Sequence, residues 1–263
     1  MGRLNGKIVV ITGASSGIGE GIAYLAAEQG ATPILLARSY KALEEIASII
    51  KQRYNVPCAY YELDVSNTVA IKTVFNQILL DHKKVDVLVN NAGFGIFENV
   101  IDTDLTKIES MFDVNVLGLV ACTKMVLPHM IERSTGHIIN IASQAGKIST
   151  PKSSVYSATK HAVLGFTNGL RLELANSNVF VTAVNPGPIK TRFFEIADET
   201  GKYVKNVEKF MLDPDFVARK VVNTMLVPKR ELNLPGWMNM GSILYQLFPT
   251  MFERIGKKAI FKK

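Results

Sequence analysis

Thr12-Gly13-Ala14-Ser15-Ser16-Gly17-Ile18-Gly19 stands between a strand-like apolar run at 7–11 and a helical pattern at 17–29. A strand that turns through glycines into a helix opens a βαβ unit. The glycines let the backbone bend sharply and approach a ligand, and the helix start offers unpaired N–H groups to a pyrophosphate. The spacing is Gly-x-x-x-Gly-x-Gly, and it lacks the Gly-Lys-Ser/Thr ending of a triphosphate loop.

The rhythm begun there continues along the chain. Short apolar runs at 33–37, 59–63, 85–90, 137–142, 179–184 and 230–234 alternate with helical patterns at 41–53, 68–81, 105–132, 156–176 and 214–225. Together with 7–11 they predict an α/β fold: a Rossmann-type, doubly wound sandwich with a seven-stranded parallel sheet and helices on both faces, in a single domain. Ser39, Ser66 and Thr103 or Asp104 stand where helix caps are expected. The catalytic domain is expected over 1–236. It includes a substrate-binding loop at 188–212, where Pro186-Gly187-Pro188 breaks the rhythm and Phe193, Phe194, Ile196, Tyr203, Phe210 and Met211 follow.

Composition bounds the function. The 263 residues are 48% apolar, enough for one large core, and Cys58 and Cys122 lie in apolar segments without the spacing of a disulfide framework. A cytoplasmic protein is expected, with no signal peptide and no membrane-spanning run. The net charge of +7 is concentrated at the end, where Arg254, Lys257, Lys258, Lys262 and Lys263 oppose only Glu253 for a net +4. That placement argues against a nucleic-acid surface. His82, His129, His137 and His161 are scattered without metal-ligand spacing, so no metal is expected.

Two further features carry chemistry. The second strand ends at Ala37, where an acidic residue would bind the ribose 2′-hydroxyl of NAD, and is followed by Arg38 and Ser39. A guanidinium there suits a 2′-phosphate and points to NADP(H). Tyr156 and Lys160 are four residues apart, about one helical turn, so phenol and ammonium share a face. A nearby ammonium favours the phenolate, so Lys160 is expected to lower the Tyr156 pKa and make it a proton donor and acceptor. Ser143 lies thirteen residues upstream at a strand end.

In the order Thr12 to Gly19, Asp64, Asn90-Asn91-Ala92-Gly93, Asn115, Ser143, Tyr156, Lys160 and Pro186-Gly187, the chain resembles the classical short-chain dehydrogenases/reductases over nearly its whole length. The resemblance implies a catalytic tetrad. Tyr156 would be the general acid/base, Ser143 would stabilise the substrate oxygen, Lys160 would bind the nicotinamide ribose, and Asn115 would hold a water of the proton relay. It also implies that Gly13, Ser15, Ser16, Gly17, Ile18 and Gly19 hold the dinucleotide. Asp64 and Val65 would meet its adenine, Asn91, Ala92 and Gly93 its adenosine side, and Pro186, Gly187, Ile189 and Thr191 its carboxamide. Family members are usually tetramers or dimers, so a homo-oligomer is expected.

The leading reading is an NADP(H)-dependent carbonyl reductase or alcohol dehydrogenase acting on an apolar ketone or secondary alcohol, with a pocket lined by Phe94, Ile96, Phe97, Ile148, Phe193 and Phe194. A 3-oxoacyl-thioester reductase working on an acyl carrier protein is a second reading, and an NADP-sensing binding protein a third. The chain departs from the family at 237–263, a C-terminal extension in which Ile243, Leu244, Leu247, Phe248, Met251 and Phe252 recur near helical spacing before the basic tail. Such a segment either packs over the cleft or a neighbouring subunit, or makes peripheral contact with an anionic membrane surface.

Overall fold

The computed structural model describes residues 2–198, 201–251 and 253–254. Seven parallel strands, β1 (Ile8–Thr12), β2 (Thr32–Ala37), β3 (Ala59–Glu62), β4 (Val87–Asn90), β5 (Gly136–Ile141), β6 (Val179–Pro186) and β7 (Glu231–Leu234), form one sheet in the order β3-β2-β1-β4-β5-β6-β7. The order reverses between β1 and β4, which register Ile11 against Val89. That reversal opens the crevice in which ligands of such sheets bind.

Both faces of the sheet are covered at its centre, which explains why β1, β2 and β4 read as largely apolar runs. Val9 and Ile11 point to one face and pack with α1 (Gly17–Glu28), α2 (Tyr40–Tyr54) and α9 (Pro214–Thr224). Ile8 and Val10 point to the other, under α3 (Thr68–His82), α5 (Leu119–Glu132) and α6 (Ser154–Glu173). On α2 the buried positions are Leu43, Ile46, Ala47 and Ile50, the i, i+3, i+4, i+7 stripe of a helix with one wet face. Cys58 and Cys122 are free and buried, and burial pushes both thiols up to about 12.

Several boundaries differ from expectation for identifiable reasons. Ser39 does cap α2, accepting from the Ala42 N–H at 3.4 Å, and Asp104 caps α4 (Leu105–Phe112) through Thr106 N–H. Ser66 does not cap α3. Its N–H and hydroxyl are spent on Asp64, at 2.9 and 2.8 Å, and Asn67 takes the cap by accepting from Ala70. The stretch expected as one helix over 105–132 is three pieces: α4, a π-helical segment Asp113–Gly118, and α5. Its length and mean hydropathy of 1.5 would suffice to cross a membrane. In the fold, Cys122, Val126 and Met130 instead join the core beneath the sheet, and Thr123 and Asn115 make internal hydrogen bonds. The loop after β6 holds two short helices, α7 (Phe193–Ala197) and α8 (Lys202–Val207), and is pinned to the body by a bridge between Ile189 and Leu212. The chain past β7 forms α10 (Gly236–Leu247). Arg254 is the only tail cation within the described residues; Phe252, Lys257, Lys258, Lys262 and Lys263 lie outside them.

Candidate active site

The turn after β1 is built for close approach. Gly13 and Gly17 have φ of 64° and 59°, in the left-handed region that glycine enters without strain. A Cβ on Gly19 would lie 2.3 Å from the Gly13 carbonyl oxygen and 2.6 Å from Asn91 Nδ2. Asn91 explains the tightness, because its amide donates to the carbonyls of Thr12 and Gly13, both at 3.0 Å. The Thr12 hydroxyl accepts from the N–H groups of Asn91 and Ala92. Ser16, at the head of α1, makes no side-chain cap, so the first-turn N–H groups keep their capacity for an anion. An open cleft of about 570 Å³ adjoins the turn, between Ser15, Ser16 and Gly17 on one side and Lys190, Thr191 and Arg192 on the other. These features fit a dinucleotide pyrophosphate.

Where the adenosine is expected, Arg38 is exposed just past β2. The Ser39 hydroxyl beside it is engaged in capping α2. The Asp64 carboxylate closes its own turn onto Ser66, and Val65 packs tightly enough that a Cβ on Gly118 would lie 2.4 Å from its carbonyl oxygen. At the other end of the cleft Pro186 and Gly187 finish β6, and Gly187 N–H donates to the Leu234 carbonyl at 2.6 Å. The Thr191 methyl stands 3.4 Å from where a Gly17 Cβ would sit, so the two expected ends of the dinucleotide cradle meet across the cleft.

The expected tetrad assembles at the C-terminal ends of β4, β5 and β6. Tyr156 and Lys160 lie on one face of α6, 8% and 5% exposed. Lys160 Nζ donates to the Ile141 carbonyl at 2.9 Å and stands 5.8 Å from the centre of the Tyr156 ring. Ser143 follows β5, its oxygen accepting from Ala145 N–H at 3.0 Å and its hydroxyl reaching the Pro186 carbonyl at 3.5 Å. Asn115 sits in the π-helical segment. Its side chain accepts from Phe94 N–H at 2.9 Å and donates to the Phe94 carbonyl at 2.8 Å and to Thr159 Oγ1 at 3.1 Å. The widened turn thus lets a helix side chain satisfy a loop backbone. Gly93 keeps the approach open, since a Cβ there would lie 3.0 Å from Asn115 Oδ1 and 3.6 Å from Lys160 Nζ.

The electrostatics differ from the sequence expectation. Burial pushes the Tyr156 phenol well above its ordinary value of 10; a hydrogen bond with Ser143 opposes this and the neighbouring Tyr203 adds to it. The same burial lowers Lys160 from 10.5 to about 8. Desolvation therefore dominates both members of the pair, and Lys160 does not bring Tyr156 down. Tyr156 is held as the neutral, proton-bearing phenol.

The expected apolar pocket is an aromatic cage. Phe97 and Phe193 pack on Tyr156 at centroid distances of 5.7 and 5.6 Å, and Phe194 meets both of these phenylalanines. A Cβ on Gly95 would lie 2.9 Å from both Tyr156 and Phe193, so the cage is tight. Phe94, Ile96 and Ile148 are half-buried on the flanking loops, and Phe94 serves Asn115 through its backbone. Tyr203, expected in the substrate-binding loop but not among the residues lining the pocket, joins them. It stacks on Phe194 at 5.7 Å and meets Phe97 at 4.7 Å. Its signal was the run of aromatics after Pro186. Among the described residues no cluster of His, Cys, Asp and Glu could hold a metal.

The sequence pattern of the family described as short chain dehydrogenase matches residues 7–201. The chain is a short-chain dehydrogenase/reductase. Its similarity to other members of that family covers most of its length. Dehydrogenase/reductase SDR family member 7 of Homo sapiens is 37% identical, over 98% of this chain and 80% of its own. The NADP-dependent 3-hydroxy acid dehydrogenase of Schizosaccharomyces pombe is 38% identical, over 73% of this chain and 75% of its own. Among solved structures, an alcohol dehydrogenase of Thermococcus sibiricus complexed with 5-hydroxy-NADP matches with a TM-score of 0.79. It is 31% identical, over 87% of this chain and 95% of its own. As a short-chain dehydrogenase/reductase, this chain is an oxidoreductase that works with a nicotinamide dinucleotide on CH–OH and C=O groups.

Proposed function

We propose that this short-chain dehydrogenase/reductase uses NADP(H) and reduces apolar ketones, reversibly to secondary alcohols, with Tyr156 as the acid. The observation that carries this reading is the buried Tyr156 hydroxyl, kept protonated beside Ser143 and walled by Phe97 and Phe193. A bound reduced nicotinamide supplies the hydride that the carbonyl carbon accepts. The protein supplies the rest. Ser143 and Tyr156 donate hydrogen bonds to the substrate oxygen as negative charge grows on it, and the Tyr156 proton is transferred to that oxygen. Lys160, uncharged for more of the pH range than an exposed lysine, and Asn115 hold the loop and helix that position the phenol. The aromatic walls exclude water and favour an apolar substrate.

Arg38 supports the choice of NADP(H), because an exposed guanidinium at the end of β2 suits a 2′-phosphate and no acidic side chain precedes it at Ala37. The S. pombe relative, named for 3-hydroxy acids, favours one second reading: a 3-oxo acid or its thioester as substrate. We also infer self-association, because Leu105, Leu117, Ile131 and Leu172 on α4, the π-helical segment, α5 and α6 are 44–75% exposed.

The test is a screen of ketones, aldehydes and 3-oxoacyl thioesters with NADPH and NADH, for wild type, Tyr156→Phe and Arg38→Asp. Tyr156→Phe is expected to bind NADPH normally and to lose turnover by about 10³-fold or more. Arg38→Asp is expected to weaken NADPH by about 100-fold and NADH little. Tyr156→Phe with full activity overturns the acid assignment. NADPH binding with no turnover on any carbonyl would make the protein a sensor.

A further inference from the structure

Helix α10 has its polar side inward. The residues that face the body are Met238, Asn239, Gly241, Ser242 and Tyr245, with Ser242 only 2% exposed. Trp237, Met240, Ile243, Leu244, Leu247 and Phe248 face outward, 41–64% exposed. Positions 237, 240, 244 and 247 form one ridge at helical spacing. From Pro235 to Phe252 the sequence carries no charged residue. A soluble domain usually turns such a helix the other way.

The orientation is fixed by specific contacts. Lys147 Nζ, on the loop that carries Ser143, donates to Asn239 Oδ1 at 2.8 Å and to Glu231 Oε2 at 2.5 Å. Ser242, buried against the body, satisfies its hydroxyl within the helix by donating to the Asn239 carbonyl at 2.8 Å. Met238 crosses Gly187 so closely that a Cβ there would lie 2.7 Å from its sulfur. Asn239 and Met238 thus tie α10 to the body, and the apolar ridge is left outside. The ridge continues onto the loop after β6, the lid that carries Phe193 and Phe194, where Phe210, 54% exposed, meets Trp237 at 6.1 Å.

The charge that follows the ridge selects its occupant. Arg254, Lys257, Lys258, Lys262 and Lys263 oppose a single Glu253, in a chain whose overall charge is +7. A second copy carries the same net charge of +7 and would be repelled. An anionic bilayer attracts each of them and accepts the apolar ridge at its headgroup boundary, where a tryptophan is well placed. We propose that α10 and the basic tail dock the protein peripherally on an anionic phospholipid surface, bringing the lid edge at Phe210 to that surface. The docking does not depend on the reaction proposed above.

Trp237 is the only tryptophan in the chain, so its fluorescence reports on the ridge directly. The full chain would be titrated with phosphatidylcholine vesicles with and without about 30% phosphatidylserine, following emission and co-sedimentation. With the anionic vesicles the emission is expected to shift to the blue and the protein to sediment, about 10-fold more tightly than with phosphatidylcholine alone. Leu244→Glu/Leu247→Glu is expected to abolish both signals while leaving the thermal melt and the molecular mass unchanged. Lys257→Glu/Lys258→Glu, which leaves the ridge intact, is expected to weaken sedimentation by about 10-fold or more. Wild-type protein that neither shifts nor sediments with anionic vesicles overturns the proposal. So does a concentration-dependent blue shift without lipid, with a mass that falls in the leucine variant, because a second copy then covers the ridge.

Discussion

Replacing Lys160 by Met should make the protein more resistant to unfolding at neutral pH than at alkaline pH, relative to wild type. Lys160 is 5% exposed, and burial lowers it from 10.5 to about 8. Below pH 8 the lysine is charged in both folded and unfolded chains, so the folded state bears the whole cost of a buried ammonium, about 3 kcal/mol. Between pH 8 and 10.5 the unfolded chain binds the proton and the folded chain does not, so wild-type stability rises with pH. By pH 10 about 2 to 3 kcal/mol of the cost has gone. Met carries none of it at any pH, but it leaves the Ile141 carbonyl without its donor at 2.9 Å, a loss of about 1–3 kcal/mol that does not vary with pH. The stability of Lys160→Met minus that of wild type should therefore fall by about 2 to 3 kcal/mol from pH 7 to pH 10, while turnover is lost at both. Urea unfolding of the two proteins without added dinucleotide, at pH 7, 8, 9 and 10, measures this difference, and other titrating groups cancel in it. A difference that stays flat across the range would show that Lys160 is not desolvated as the fold places it.

Two further outcomes test the frame around the site. Asp86 is 3% exposed, and although burial pushes its carboxyl up, the Ile8 N–H, the Arg133 guanidinium at 2.7 Å and the Lys84 ammonium at 3.3 Å hold it below its ordinary 3.8. Its stabilisation is complete above 3.8 and is lost as pH falls through the depressed folded value. Asp86→Asn should thus lower stability by on the order of 2 kcal/mol at pH 7, and the gap to wild type should close below pH 4 in acid-unfolding curves. Gly19→Ala would place a methyl 2.3 Å from the Gly13 oxygen, against backbone that cannot yield. It should cost about 1–3 kcal/mol in thermal melts and weaken NADPH, followed by fluorescence titration, by about 10-fold or more. Unchanged binding would show that the turn does not hold the dinucleotide.

The centre of the sheet was legible because β1, β2, β4 and β5 are buried on both faces. Val9 and Ile11 serve one layer, Ile8 and Val10 the other, and the apolar run is uninterrupted in consequence. The glycine turn and the pair of Tyr156 and Lys160 were legible because each demands particular residue types at particular spacings, whereas Ser143 and Asn115 were singled out by the family resemblance. The π-helical segment at Asp113–Gly118 was not, since one extra residue in a helical turn barely alters an apolar period. Nor was Tyr203, which reaches the cage from a short helix whose position depends on the packing of Phe194 and Phe97. The pattern over 243–252 showed an amphipathic helix but not which side faces in. Apolar spacing alone predicts a buried ridge, whereas Asn239, held by Lys147, and Met238, against Gly187, face the body instead.

Tyr156 and Lys160 show most clearly what spacing leaves out. Four residues on a helix bring a phenol and an ammonium to one face, and in water the cation would favour the phenolate. The dielectric around that face is set by residues from distant parts of the chain, Phe97 from the loop after β4 and Phe193 from the lid. Burial disfavours charge on both groups at once, so the phenol keeps its proton and the lysine more readily gives one up. The two displacements have one cause and opposite directions. A phenol that keeps its proton is the donor that the proposed carbonyl reduction requires, and Lys160, tied to the Ile141 carbonyl, holds its helix in place.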